Sequence, residues 1–257
     1  MEALDALRLQ IEWGADEALL AAPVDRTAAP ARGLHPPGQA SAPSVMPPAP
    51  MLGPAARAAD LAALCGTLAE LRGALETLEG CALRLTATSL VFADGNPHAG
   101  LMFVGEAPGA EEDRAGLPFV GPSGRFLDRM LASIGLDRSK FLITNLIPWR
   151  PPGNRNPTDS EVSLCLPFLL RHVALARPRR LVLLGGLATR AITGNAAGIR
   201  RTRGRWLDLA VPGLEVAVPT LPMLHPAYLL RTPGAKREAW ADLIMLRRAL
   251  DADLSGM

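Results

Sequence analysis

Three short stretches of this chain combine residue types that can hold and attack a small polar ring. The first is Gly105-Glu106-Ala107-Pro108-Gly109, followed by Ala110-Glu111-Glu112-Asp113 and then by Gly116-Leu117-Pro118-Phe119-Val120-Gly121. Two glycines and a proline force a tight turn, which brings backbone amides and acidic groups close to a planar ligand. The turn lacks the Gly-Lys-Ser/Thr ending of a phosphate loop and the dinucleotide fingerprint, and its carboxylates would repel phosphate. Glu111, Glu112 and Asp113 also fit a plainer reading, as helix-start acids that favour the dipole. The second stretch, Thr144-Asn145, runs into Arg150-Pro151-Pro152-Gly153-Asn154-Arg155. A carboxamide both donates and accepts, as reading the amide edge of a pyrimidine requires, although an isolated Asn more often caps a turn. The third is Leu224-His225-Pro226-Ala227-Tyr228-Leu229-Leu230-Arg231, whose imidazole is a natural donor to a carbonyl that gains charge.

To act together, these stretches must hang from neighbouring elements. Apolar runs predict buried strands over 101–104, 141–147 and 181–184, with a last strand over 216–224. Helical spacing of apolar residues covers 122–134, 159–176 and 235–250. Strands alternating with helices imply an α/β fold, a three-layer sandwich around a mainly parallel sheet that takes its ligand at the carboxyl ends of the strands. Each of the three stretches lies at such an end.

At 257 residues, with 49% apolar, 20% charged and 4% aromatic residues, the chain has the composition of a folded globular protein with ample core. Its prolines are uneven: residues 22–58 hold nine and little periodic pattern, which predicts a Pro/Ala-rich linker without fixed structure. Before it, Leu4, Leu7, Ile11 and Leu19 could line one side of an amphipathic segment, residues 1–21, that docks a protein partner. Residues 59–257 remain as the folded body. No apolar run approaches the roughly 18 to 20 residues of a membrane span, and the acidic, amphipathic start does not read as a secretory signal. Three cysteines, Cys65, Cys81 and Cys165, are too few for a disulfide framework and fit a reducing cytoplasm.

The charge is uneven too. Residues 1–56 carry three Arg and six acidic groups, leaving 24 basic and 19 acidic groups for the body. Within it, 146–206 holds eleven arginines against only Asp159 and Glu161. That local positive field suits a polyanion; the same arginines also fit an ordinary solvated surface.

Taken in order and spacing, GEAPG with EED, G-x-P-F-V-G, TN with RPPGNR, and HPAYLLR resemble the family-4-type uracil-DNA glycosylases over roughly residues 61–250. The resemblance implies a uracil-DNA glycosylase-like catalytic domain of base excision repair. Such a domain flips uracil out of DNA and hydrolyses its N-glycosidic bond, leaving an abasic site. Phe119 is then expected to stack on the ring, Asn145 to hydrogen-bond its polar edge, and His225 to donate to uracil O2 as negative charge builds there. Gly105, Glu106 and Ala107 line the turn that holds the attacking water. Ala107 stands where some related families have an aspartate, so water placement falls to backbone, Glu106 or Glu112. Phosphates must be gripped while the stack is broken, which gives a role to Arg150 and Arg155, to Arg200, Arg201 and Arg203, and to the turn from Pro226 to Arg231. The only lysines, Lys140 and Lys236, lie outside the motifs, so Schiff-base strand cleavage is not expected of this hydrolase, which reads as monofunctional and monomeric.

The family resembled usually holds a four-iron four-sulfur cluster, with a Cys-x-x-Cys pair before the first strand, a Cys just ahead of RPPGNR and another in the next helix. This chain keeps Cys81 and Cys165 but has Leu78 and Trp149 at the other two positions. Two thiolates cannot hold a cubane that requires four, so no cluster or other cofactor is expected. A rival reading is a DNA-binding relative that has lost catalysis with its cluster; the intact Glu106, Phe119, Asn145 and His225 argue against it. A third, covalent capture of the abasic sugar, needs a basic insertion ending in His near the Asn motif, which RPPGNRNP is not.

Overall fold

The computed structural model describes residues 53–255. The segment 1–21 and the linker up to residue 52 lie outside the described residues. The linker's end needs correction, because Pro54–Leu64 is a helix. Pro54 pre-sets the first helical turn, where its missing N–H is harmless, and Ala58 and Ala62 are buried in the core.

Six strands form one sheet: β1 (Asp94–Gly95), β2 (Leu101–Gly105), β3 (Leu142–Asn145), β4 (Arg180–Leu184), β5 (Leu207–Leu209) and β6 (Val218–Met223), in the order β1-β3-β2-β4-β6-β5. The inner four run parallel, and β1 and β5 pair antiparallel at the two edges. Parallel strands covered on both faces read as continuous apolar runs, and every residue of β2 is buried. Alternate side chains divide between two cores. Met102, Val104, Leu181 and Leu183 join the helices Pro54–Leu64, Leu68–Glu76 and Asp159–Ala176 on one face. Leu101, Phe103, Val182 and Leu184 join Pro122–Ala132 and Lys236–Ser255 on the other. The result is the expected helix–sheet–helix sandwich.

The helix at Asp159–Ala176 has the predicted bounds, opened by a capping box between Thr158 and Glu161. Other boundaries move by a few residues: the strand read over 141–147 pairs only at Leu142–Asn145, and the last helix runs on to Ser255. The edge strands β1 and β5 were not foreseen, since two or three residues carry no alternation to detect. Among the described residues no helix is long and apolar enough to cross a membrane.

The chain leaves β2 toward β3 on one side of the sheet and leaves β4 toward β6 on the other. The switch point of this α/β sheet therefore falls between β2 and β4, where connections diverge and a crevice opens at the strands' carboxyl ends.

Candidate active site

Register fixes the starting geometry. Gly105, the last residue of β2, pairs with Asn145, the last of β3, so the tight turn and the carboxamide leave the sheet at the same level. Leu146 and Ile147 then donate backbone N–H bonds to the carbonyls of Gly105 and Glu106 at 2.9 and 3.0 Å, stitching the turn to the segment after β3. His225 follows β6 by two residues and caps the helix Pro226–Arg231. Glu106, Ala107, Phe119, Asn145 and His225 line one pocket of about 410 Å³.

Within it, the carboxamide and the aromatic ring meet over Gly105 as the two walls of a slot. A Cβ placed on Gly105 would lie 2.4 Å from Asn145 Oδ1 and 2.5 Å from Phe119 Cζ, so the two walls can close on this backbone only because residue 105 has no side chain. Asn145 is 4% exposed, and its Oδ1 has no hydrogen-bond partner in the protein. A buried acceptor left unpaired carries a desolvation penalty of about 1–3 kcal/mol, which a ligand N–H reaching it would relieve. The Phe119 and His225 rings stand 5.8 Å apart, tilted by 31°.

His225 is held in a defined state. Its Nδ1 accepts the backbone N–H of Ala227 at 3.2 Å, so in the neutral ring the proton sits on Nε2. Burial, assisted by the positive charge of Arg231, lowers its pKa to about 4. At neutral pH the imidazole is therefore an uncharged Nε2–H donor. Glu106, half-buried, is shifted the other way for a carboxyl: burial raises its pKa, and the Arg190 guanidinium offsets part of the rise.

The other acids of the turn are structural. Each Glu112 oxygen accepts one backbone N–H, from Gly109 at 3.0 Å and from Gly121 at 2.8 Å. Glu112 lines the pocket as expected, and its carboxylate braces the turn against the loop that carries Phe119. Asp113 accepts from the amides of Thr88 and Ser89, and Glu111 pairs with Arg125.

The arginines divide sharply. Arg155 grips Glu161 through both Nη atoms at the pocket rim, and Arg150 Nε donates to Asn154 Oδ1 at 2.8 Å. Arg200 reaches Tyr228 Oη and Glu238 yet stays exposed, as do Arg201 and Arg231. Arg203 must be removed from the DNA-facing set: its side chain is 16% exposed and is forked onto the buried carboxylate of Asp242. Pro226 is likewise buried, serving as the first residue of its helix. Sequence reasoning passed over Ser123, Asn156 and Tyr228 in the pocket wall, although the last two lie beside or inside the quoted stretches.

Leu78, Cys81, Trp149 and Cys165 are all buried within the same core. The neighbouring Cys165 thiol lowers the pKa of Cys81 to about 6, while Cys81 and burial raise that of Cys165. Leu78 and Trp149 offer no ligand atom of the kind a cluster iron takes, and among the described residues no three His, Cys, Asp or Glu side chains gather where they could hold a metal ion. The residues present do not fit a four-thiolate cluster.

Residues 92–244 match the profile of the Uracil DNA glycosylase superfamily. The chain is 40% identical over 166 residues to a type-4 uracil-DNA glycosylase of Archaeoglobus fulgidus, covering 63% of this chain and 82% of that protein. It is 36% identical over 169 residues to one of Pyrobaculum aerophilum, covering 64% and 85%, and 39% identical over 152 residues to one of Thermotoga maritima, covering 59% and 77%. With more than half its length inside the superfamily profile and most of each relative covered, the chain belongs to the type-4 uracil-DNA glycosylases.

Proposed function

We propose that this protein excises uracil from DNA by hydrolysing the N-glycosidic bond, as the first step of base excision repair. The observation that carries the reading is the slot itself: an unpaired buried carboxamide oxygen, an aromatic ring and a neutral Nε2–H donor around one pocket. A flipped uracil stacks on Phe119 and presents its N3–H to Asn145 Oδ1 and its O4 to the amide nitrogen. Cytosine offers an amino group where O4 should be, setting donor against donor, and the methyl of thymine meets the pocket wall.

In the chemical step the C1′–N1 bond breaks and its electron pair moves onto the base, where charge collects at O2. His225 Nε2–H donates a hydrogen bond to O2 as that charge develops, stabilising the departing base anion. Glu106 takes a proton from the water that attacks C1′, a role for which a raised carboxyl pKa is suited. No lysine lines the pocket, so the product is an intact strand with an abasic site. Arg231 at the rim, Arg150, Arg200 and Arg201 supply the phosphate grip. The reaction proceeds without an iron–sulfur cluster, since Leu78 and Trp149 fill two of its ligand positions; purified protein should be colourless and iron-free, and stoichiometric iron would overturn that part.

The test is a uracil-containing oligonucleotide, single-stranded or duplex, treated with alkali after incubation. The wild type should yield an alkali-sensitive site, and His225→Ala should reduce the rate by about 10²- to 10³-fold. Wild-type rates in both His225→Ala and Asn145→Ala would refute the assignment, and DNA binding without any product would favour an inactive relative.

A further inference from the structure

The geometry points to Arg138 as the positioning residue that sets the aromatic wall of the slot against the carboxamide wall. Phe119 adopts φ +57°, a left-handed conformation that disfavours side chains larger than hydrogen. Something must hold it there. Arg138 Nη2 donates to the Phe119 carbonyl at 2.7 Å, and Nη1 donates to the Pro118 carbonyl at 3.3 Å. Its remaining donors are taken by two carboxylates: Asp128 accepts from Nε at 2.8 Å and from Nη2 at 3.2 Å, and Asp94 accepts from Nη1 at 3.0 Å. All five guanidinium N–H groups are thereby engaged, and the side chain is 26% exposed.

What this fork connects explains its effect. Asp128 lies on the helix Pro122–Ala132, Asp94 on β1, and the two carbonyls on the strained turn. Arg138 itself opens the single helical turn Arg138–Lys140, which runs directly into β3 and so to Asn145. The guanidinium therefore fixes the turn that carries Phe119 relative to the strand that carries Asn145. Gly124 makes room for the same carbonyl, since a Cβ there would fall 1.8 Å from the Phe119 carbonyl oxygen. A lysine cannot replace the fork, because one ammonium cannot reach two carbonyls and two carboxylates in this planar arrangement.

The inference rests on the stacking role proposed for Phe119, and the experiment separates the two. Arg138→Lys, Phe119→Ala and the double variant of the full chain are compared in single-turnover uracil release from a single-stranded uracil oligonucleotide, with a thermal melt for each. Phe119→Ala should lose about 5- to 100-fold in kcat/KM, as expected for a lost base–aromatic stack. Arg138→Lys should lose a comparable factor alone and almost nothing further in the Phe119→Ala background. Losses that multiply in the double variant would overturn the positioning role while leaving the stacking role intact. A wild-type rate for Phe119→Ala would overturn both. If Arg138→Lys does not fold, Asp128→Asn, which loosens the fork and leaves both carbonyl contacts possible, enters the same cycle with the same criteria.

Discussion

Gly105→Ala is the most direct perturbation of the slot, because it adds one methyl group and changes no charge. The added carbon would stand 2.4 Å from Asn145 Oδ1, 2.5 Å from Phe119 Cζ and 2.8 Å from Phe119 Cε2. Ordinary contact begins near 3.4 Å, so the carboxamide and the ring must each give way by about 1 Å. A displacement of that size at a positioned group lowers rates by about 10²-fold, equivalent to about 2.7 kcal/mol of transition-state stabilisation. Overpacking of this kind also costs about 1–3 kcal/mol of stability, so a thermal melt must accompany the kinetics. Single-turnover uracil release, which excludes product dissociation from the rate, is the appropriate assay. Gly73→Ala supplies the control: residue 73 lies exposed in the helix Leu68–Glu76 with nothing within 4 Å of a new Cβ. That variant should keep full activity and gain about 0.5–1 kcal/mol of stability from helix propensity. A folded Gly105→Ala variant with a wild-type rate would refute the claim that the slot is defined by the missing side chain.

Two further predictions concern protons. Arg190 holds down a Glu106 pKa that burial raises, so Arg190→Gln should raise it further. Because the base form of a carboxyl is lost as pH falls through its pKa, the acid limb of kcat/KM should move to higher pH in the variant, and the difference should shrink at high salt. An unmoved limb would remove Glu106 from the base role. His172, 3% exposed and stacked on Phe92, is neutral when folded because burial lowers its pKa from 6.5 to about 4. Between those two values the unfolded chain binds a proton that the native protein does not, so stability falls as pH drops from 6.5 to 4, by up to about 3 kcal/mol. His172→Leu should lose less over the same window in denaturant titrations, and equal losses would contradict the assignment.

The inner strands were legible because each is an apolar run ending in a turn signal, and Asp159–Ala176 because its apolar residues recur at helical spacing. The edge strands were not legible, since β1 is only Asp94–Gly95 and its pairing with β3 is decided by tertiary contact. The candidate site divides the same way. Asn145 and His225 stood out because each stands at the carboxyl end of a strand and carries a group with evident chemistry, and Gly105 because it opens the tight turn. Glu112 stood out for its carboxylate, but its two backbone partners are 3 and 9 residues away, and only the folded loop brings the second to it. Arg138 was invisible for a related reason: its partners span residues 94 to 128, and no local pattern marks a guanidinium whose role is to hold two carbonyls.

The arginine field illustrates why counting charge overstates a DNA-binding surface. Arg203 contributes fully to the net charge of its segment, yet its charge is neutralised at Asp242 inside the fold. Arg155 presents a rim position while spending its fork on Glu161. The loop that bears Arg150 and Arg155 hangs instead from Trp149, whose side chain is 2% exposed in the core with Leu78, Cys81 and Cys165. Burying a side chain of that size contributes about 2–3 kcal/mol, enough to anchor a loop's root by packing alone. The opposite core carries Phe119, and the pairing of Gly105 with Asn145 belongs to the sheet between them. The slot is thus built from strand register and a strained turn, with Phe119 rooted in one core and Trp149 in the other.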